Sequence, residues 1–179
     1  MPEQYDKQLL KRAKRIRLVA FDVDGVLTDG SLFLGDDGKE YKAFNSHDGH
    51  GIKMLHENGI STAIITGRTS QVVERRMKNL GVEHVYQGQH NKIQALESLA
   101  QALSLTYEDI AFVGDDVVDL PVMIRVGLAI AVANAHELVK QHSHWQTPRT
   151  GGLGAARDVC EMILTAHEKL DAQWQHYLS

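Results

Sequence analysis

The sequence predicts a single α/β domain, residues 1–179, built on a doubly wound parallel sheet. With 179 residues, the chain is long enough for one domain with a full hydrophobic core. Short runs such as AIIT and IAFV are apolar at consecutive positions, which is typical of strands buried on both faces. These runs alternate with segments of helical period, and that alternation implies parallel strands joined by right-handed crossovers.

The predicted strands and helices follow one another in order along the chain. Strands are predicted at residues 17–21, 61–66, 84–86, 110–113 and 128–132. An N-terminal helix in the basic segment 7–17 is followed by helices at about 49–58, 70–80, 91–104, 117–126 and 155–170. The last of these places Cys160 at helical spacing among apolar residues, so we predict a core thiol. The tail, residues 171–179, has no clear period and is expected to be flexible.

One segment, SLFLGDDGKEYKAF at residues 31–44, does not fit this alternation. It is typical of a β-hairpin inserted after the first strand, with Asp37-Gly38 at the tight turn. An isolated hairpin is marginal in water, and Leu32, Phe33 and Leu34 place apolar groups on both of its faces. We therefore predict that it packs against another subunit, the alternative being a hairpin folded back on its own domain. The insert is too small for a lid, so no large cap domain is expected.

Composition and charge narrow the classes of protein and partner. The net charge of -4 gives no indication of nucleic-acid or anionic membrane binding. No apolar run is long enough to span a bilayer, and the N-terminus lacks the apolar core of a signal peptide. The single cysteine excludes an intrachain disulfide. We therefore expect a cytoplasmic protein with no nucleic-acid or membrane partner.

Polar, reactive side chains follow the predicted strands at the point where each strand ends. The first strand ends in Asp22-Val-Asp24-Gly, the second in Thr66-Gly67-Arg68 and the fourth in Gly114-Asp115-Asp116, with Asp119 further on. Lys92 lies near the start of the helix that follows the third strand. Alone, each motif is typical of a turn, an N-cap, a loop or a surface lysine. Because the carboxyl ends of parallel strands meet at one edge of the sheet, the whole set predicts a single site.

The residue types in this set indicate phosphoryl chemistry. Clustered carboxylates repel one another unless a cation lies among them, and Mg²⁺ prefers oxygen ligands such as Asp22, Asp115 and a backbone carbonyl. Asp22 can attack phosphorus to give an aspartyl-phosphate. Asp24 lies on the same side of the extended chain and can move the proton. Thr66 and nearby N–H groups would bind phosphoryl oxygens, and Lys92 would offset negative charge in the transition state.

These segments resemble the four motifs of the haloacid dehalogenase (HAD) superfamily. A closer resemblance is to a small-capped branch, the 3-deoxy-D-manno-octulosonate 8-phosphate (KDO 8-phosphate) phosphatases. It is carried by the hairpin and by FDVDGVLTDG, FNSHDGHGIK (44–53), AIITGR (63–68), YQGQHNK (86–92) and GDD followed by LPVM. The similarity runs from about residue 16 to the C-terminal helix. It implies a HAD-like fold and a Mg²⁺-dependent phosphatase of KDO 8-phosphate that works through an aspartyl-phosphate.

The resemblance also implies roles for individual residues. Asp22 would be the nucleophile and a metal ligand, Asp24 the acid/base and a ligand through its backbone carbonyl, and Asp115 the third ligand. Asp116 and Asp119 would support them. Substrate binding would involve Asp24, Asn45, Ser46, His47, Asp48, Gly49, Lys53, Arg68, Arg76 and Lys92. The family is tetrameric, with hairpins meeting at the centre and neighbouring subunits closing each active site.

Other functions remain open from the residues alone. A phosphatase of another sugar-acid phosphate, such as a nonulosonate 9-phosphate, would use the same motifs. A phospho-aspartate receiver domain carries its aspartate on a later strand and needs no acid/base two residues after it. An inert protein has no need of the complete motif set. The segment GGLGAAR before the last helix would either close over a neighbour's site, with Arg157 reaching an anion, or serve as a hinge.

Overall fold

A six-stranded parallel sheet forms the centre of the computed structural model, which describes residues 5–179. Residues 1–4 of the predicted domain lie outside the described residues. The strands are β1 (Leu18–Phe21), β4 (Ser61–Ile65), β5 (His84–Tyr86), β6 (Ile110–Gly114), β7 (Leu128–Ala131) and β8 (Trp145–Gln146). Hydrogen bonding orders them β5-β4-β1-β6-β7-β8. The five predicted strands agree with the structure to within one residue at each end, whereas β8 is too short to show a sequence pattern.

Helices flank this sheet and complete the predicted doubly wound α/β fold. They are α1 (Lys7–Ala13), α2 (Ser46–Glu57), α3 (Gln71–Leu80), α4 (Lys92–Ala102), α5 (Leu120–Met123), α6 (Glu137–Gln141), α7 (Ala155–Ala166) and α8 (Leu170–Leu178). α7 packs against α1 and α2, and α4 packs against α5. Cys160 of α7 is fully buried, as predicted. Within residues 5–179, no helix has the length and apolar character needed to cross a membrane.

The position of β1 explains why the reactive residues converge. All four residues of β1 are buried, and Phe21 lies opposite Ile64 of β4 on one side and Val113 of β6 on the other. The chain leaves β1 towards β4 and β5, then returns to build β6, β7 and β8 on the opposite side. A crevice forms at the carboxyl ends of strands where a sheet changes direction in this way. Asp22 follows Phe21 directly and so lies at the edge of that crevice.

The predicted hairpin consists of β2 (Phe33–Leu34) and β3 (Glu40–Tyr41), with Phe33 opposite Tyr41. Gly38 has a φ of +77°, as the predicted turn requires. The side chains of Leu32, Phe33, Leu34 and Tyr41 are exposed, Leu34 by 68%. Within one chain, these apolar groups therefore do not fold back onto the sheet.

The tail differs from its prediction, because residues 171–178 belong to the helix α8 instead of an irregular segment. Gln173 is buried and exchanges hydrogen bonds with Asn58 and Glu57, and the Tyr177 hydroxyl lies 2.8 Å from Nε2 of His50. These partners precede the tail by more than a hundred residues. The contacts that order α8 therefore have no signature in the local sequence.

Candidate active site

Three buried side chains form an ion-pair cluster at the carboxyl ends of β1 and β6. Nζ of Lys92, the first residue of α4, lies 2.8 Å from Oδ2 of Asp22 and 2.6 Å from Oδ1 of Asp119. Asp119 is fully buried, and Lys92 and Asp22 are 5% and 6% exposed. The structure thus brings together residues from three separate motifs, because the sheet aligns the ends of their strands.

Asp119 is engaged through both of its carboxylate oxygens. Oδ1 accepts a hydrogen bond from Lys92, and Oδ2 accepts from the backbone N–H groups of Asp115 at 3.0 Å and Asp116 at 3.4 Å. Asp116 in turn begins the short 3₁₀ turn Val117–Asp119, with its side chain accepting from the N–H of Val117. These contacts fix the positions of Lys92 and of the Asp115 backbone, and the supporting role of Asp116 and Asp119 in the reaction stays a prediction.

The carboxylates of this cluster fit a divalent cation. One ligand atom from each of Asp22, Asp115 and Asp119 lies within 4.8 Å of the others. Burial, followed by the negative charges of Asp119, Asp22 and Asp116, raises the pKa of Asp115 to about 7, although the ammonium of Lys92 acts in the opposite direction. A cation would remove this repulsion, and an all-oxygen donor set suits Mg²⁺.

Two close backbone approaches shape the turn that carries these residues. At Gly25, which has a φ of +85°, a Cβ would lie 2.0 Å from Oδ2 of Asp115. At Gly151, a Cβ would lie 1.7 Å from the carbonyl oxygen of Gly25, and Gly152 donates a hydrogen bond to the carbonyl of Val26. Gly151 and Gly152 are buried. The glycine segment considered as a hinge or a closing flap is therefore packed within its own chain, beneath the turn that follows Asp22.

A second charged network surrounds Asp24. The ammonium of Lys42 contacts Oδ1 of Asp24 and lies 2.7 Å from Oε1 of Glu40. Nη2 of Arg68 lies 3.3 Å from Oε2 of Glu40, and Nε of Arg68 lies 3.7 Å from Oδ2 of Asp24. Burial alone would lower the pKa of Lys42, but its contacts with Asp24 and Glu40 raise that pKa by more, so the side chain stays charged.

Sequence reasoning missed Glu40 and Lys42. Both charges occur in the hairpin strand EYKAF, where residues two apart share a face. This alternation predicts that Glu40 and Lys42 lie on one face of the strand, but it does not predict which residue that face contacts. The side chain of Lys42 is only 1% exposed, although most of the hairpin is exposed.

A cavity of about 390 Å³ lies over both networks. Seven predicted residues line it: Asp22, Asp24, Thr66, Arg68, Lys92, Asp115 and Asp116. Leu32 of the hairpin, Gln89 and His90 from the loop after β5, and Val118 complete much of the remaining wall and were not predicted. The cavity combines a buried cationic and acidic floor with a rim of exposed side chains, which is suited to a small polar ligand.

The other predicted substrate residues do not line this cavity in the part of the chain that the structure describes. They are Asn45, Ser46, His47, Asp48, Gly49, Lys53 and Arg76. Asn45 is the N-cap of α2, and its side chain accepts hydrogen bonds from the N–H groups of His47 and Asp48. Ser46 and His47 are exposed in the first turn of α2, and Lys53 is exposed on its surface.

Asp48 and Arg76 make structural contacts within the chain. The buried Asp48 carboxylate accepts hydrogen bonds from the N–H groups of Arg157, at 2.8 Å, and Gly154, at 3.3 Å, and so caps the first turn of α7. Arg76 packs over the ring of Phe44, 5.9 Å from its centroid, and the end of its side chain lies against Gly49. A role in substrate binding stays a prediction for all these residues.

Comparison with known proteins gives a consistent result. Residues 81–156 match the family of haloacid dehalogenase-like hydrolases. The chain is 47% identical over 163 residues to the 3-deoxy-D-manno-octulosonate 8-phosphate phosphatase KdsC of Escherichia coli K12, covering 91% of this chain and 87% of that protein.

Two solved structures are similar to the chain in both fold and sequence. The KDO 8-phosphate phosphatase of Yersinia pestis has a TM-score of 0.91 at 46% identity, covering 92% of this chain and 89% of that one. The enzyme of Moraxella catarrhalis, solved with magnesium, phosphate and KDO, has a TM-score of 0.94 at 42% identity, covering 97% and 99%. At these identities and coverages, the chain belongs to the 3-deoxy-D-manno-octulosonate 8-phosphate phosphatase family of HAD-like hydrolases.

Proposed function

We propose that this protein is a Mg²⁺-dependent phosphatase that hydrolyses KDO 8-phosphate to KDO and inorganic phosphate. The observation that carries the proposal is the buried cluster in which Lys92 pairs with Asp22 and Asp119 beside Asp115. That cluster supplies a nucleophile, a cation site and a fixed positive charge on the floor of one cavity. The family to which the chain belongs supports the choice of substrate.

In the first step, Asp22 attacks phosphorus, so an aspartyl-phosphate bond forms as the bond from phosphorus to the sugar oxygen breaks. The Asp22 carboxylate is oriented by the N–H of Val23, at 2.7 Å, and by Lys92. Lys92 also offsets charge on the transferring phosphoryl group, and Thr66 at the end of β4 binds its oxygens. Asp22, Asp115 and the backbone carbonyl of Asp24 would hold Mg²⁺, which would supply further positive charge for the phosphoryl oxygens.

Asp24 moves the protons in both steps. It gives a proton to the departing sugar oxygen, and then accepts one from the water that attacks phosphorus and releases Asp22. Arg68 at the cavity rim offers a planar donor set to an anionic group of the sugar acid. Asn45, Ser46, His47, Asp48, Gly49, Lys53 and Arg76 remain proposed substrate residues, and they would act at the cavity only in an assembly of several chains.

The assembly that we propose is a cytoplasmic homotetramer in which hairpins from several subunits meet. The apolar side chains exposed on β2 and β3 support it, because groups of this kind are normally covered by a partner. In this setting the enzyme supplies KDO for lipopolysaccharide synthesis.

Phosphate release from a panel of sugar phosphates, with and without Mg²⁺, tests the function. We expect the highest kcat/KM with KDO 8-phosphate, complete loss of activity with EDTA and recovery when Mg²⁺ is restored. Asp22→Asn, measured beside the wild type, should lower kcat by more than about a thousandfold. The substrate assignment is wrong if a nonulosonate 9-phosphate or a generic phosphate is hydrolysed equally well, and the mechanism is wrong if Asp22→Asn stays active.

A further inference from the structure

One charged side chain of the hairpin, that of Lys42, contacts Asp24 at the proposed active site. Lys42 follows β3 directly, and its ammonium contacts Oδ1 of Asp24. Lys42 is not among the residues that line the cavity, whereas Asp24 is. Lys42 therefore acts on the cavity through its neighbours: it contacts Asp24 directly, and it reaches Arg68 through Glu40.

The contacts of Lys42 and Arg68 with Asp24 differ in how firmly they are held. The Lys42 side chain is 1% exposed and donates a hydrogen bond to Asp24, and Oε1 of Glu40 lies 2.7 Å from its ammonium as a second negative charge. Arg68 is 45% exposed and lies 3.7 Å from Asp24, beyond hydrogen-bond distance. Lys42 is thus the fixed partner that sets the orientation of the Asp24 carboxylate.

We propose that Lys42 is a positioning residue that holds Asp24 where it can protonate the departing sugar oxygen, so that the hairpin contributes to catalysis. The inference rests on the proposed function, because it requires that Asp24 act as the acid. Proton transfer needs the acid within hydrogen-bond reach of the leaving oxygen, and a displacement of about 1 Å is enough to cost roughly a hundredfold in rate.

The dependence of the rate on the leaving group isolates this role. A sugar alkoxide must be protonated as it leaves, whereas the nitrophenolate of p-nitrophenyl phosphate departs without a proton. The ratio of kcat/KM for KDO 8-phosphate to kcat/KM for p-nitrophenyl phosphate therefore reports on the acid. Because kcat/KM covers only the steps up to the first irreversible one, the later attack of water does not enter the ratio.

Lys42→Met removes the ammonium and keeps an unbranched side chain. We expect this variant to lower the ratio by roughly tenfold to a hundredfold, because Asp24 is no longer held. Lys42→Gln keeps a donor for Asp24 and should recover part of the loss, and it serves as the test variant if the methionine variant does not fold. Lys39→Met is the matched control, since Lys39 is an exposed lysine of the same hairpin and pairs with Asp37, which is also exposed.

A loss of equal size on both substrates, or no loss on either, overturns the proposal, since a purely structural role predicts no change in the ratio. The proposal is also contradicted if the ratio for Lys42→Gln is no higher than the ratio for Lys42→Met. The proposed function fails separately, if the wild type does not hydrolyse KDO 8-phosphate. In that case glycerol phosphate serves as the alkyl substrate and the ratio still tests Lys42.

Discussion

The floor of the cavity and the surface formed by the hairpin and α2 differ in how complete they are within one chain. On the floor, Lys92, Asp22 and Asp119 satisfy one another, and the fold buries all three. On the other surface, Phe33 and Leu34 are exposed, and Asn45 and Lys53 lie away from the cavity. The chemical groups are therefore assembled by a single chain, whereas the predicted sugar-acid contacts beyond the rim would need the surface that the proposed assembly supplies.

Because of this difference, we expect substitutions in the two regions to have different consequences. A change on the floor removes both chemistry and a buried ion pair, so it should affect kcat and stability together. A change at the exposed apolar side chains of the hairpin should affect assembly first. A change at the N-terminal turn of α2 should affect stability or substrate binding, depending on which contact matters.

Among the substitutions that separate the two regions, Lys92→Met should have the largest effect. Loss of the ammonium should lower kcat by roughly a hundredfold to a thousandfold, because the phosphoryl group loses a preorganised positive charge. It also leaves Asp22 and Asp119 buried without their partner, which should lower the free energy of unfolding by about 3–5 kcal/mol. Steady-state phosphate release and urea unfolding measure the two effects.

Lys78→Met is the matched control for Lys92→Met, because Lys78 lies exposed in the last turn of α3. This control should change neither kcat nor the free energy of unfolding. If Lys92→Met lowers the free energy of unfolding no more than Lys78→Met does, the ion pairs of Lys92 with Asp22 and Asp119 do not stabilise the fold.

The double variant Phe33→Ser, Leu34→Ser should have an intermediate effect, directed at assembly. If partners cover these side chains, each loses about 1.5–3 kcal/mol of apolar burial per subunit, and sedimentation should show smaller species than the wild type. Leu178→Ser removes a still more exposed leucine at the end of α8 and should leave the sedimentation unchanged. A wild type that already sediments as a monomer would remove the basis for a hairpin interface.

How far the sequence predicts this molecule depends on the range of the contacts involved. Asp22, Thr66, Lys92 and Asp115 are predictable, since each follows or precedes an element with a clear local pattern and parallel strands must converge. The pairing of Lys42 with Asp24 depends on the path of a hairpin across the sheet edge, which hydrophobic periodicity does not describe. The cap that Asp48 provides for α7 joins residues 109 positions apart. Local sequence therefore identifies the chemistry more readily than the groups that orient it.

Asp48→Asn should have the smallest effect and decides between the two roles available to that residue. The amide keeps the size of the side chain but has only one acceptor oxygen for the N–H groups of Gly154 and Arg157. If Asp48 acts as a cap, the free energy of unfolding should fall by about 1–3 kcal/mol, because a buried donor is left unpaired, while KM for KDO 8-phosphate stays unchanged. A raised KM with unchanged stability would instead show that Asp48 contacts the substrate, and the surface at the start of α2 would then belong to the active site.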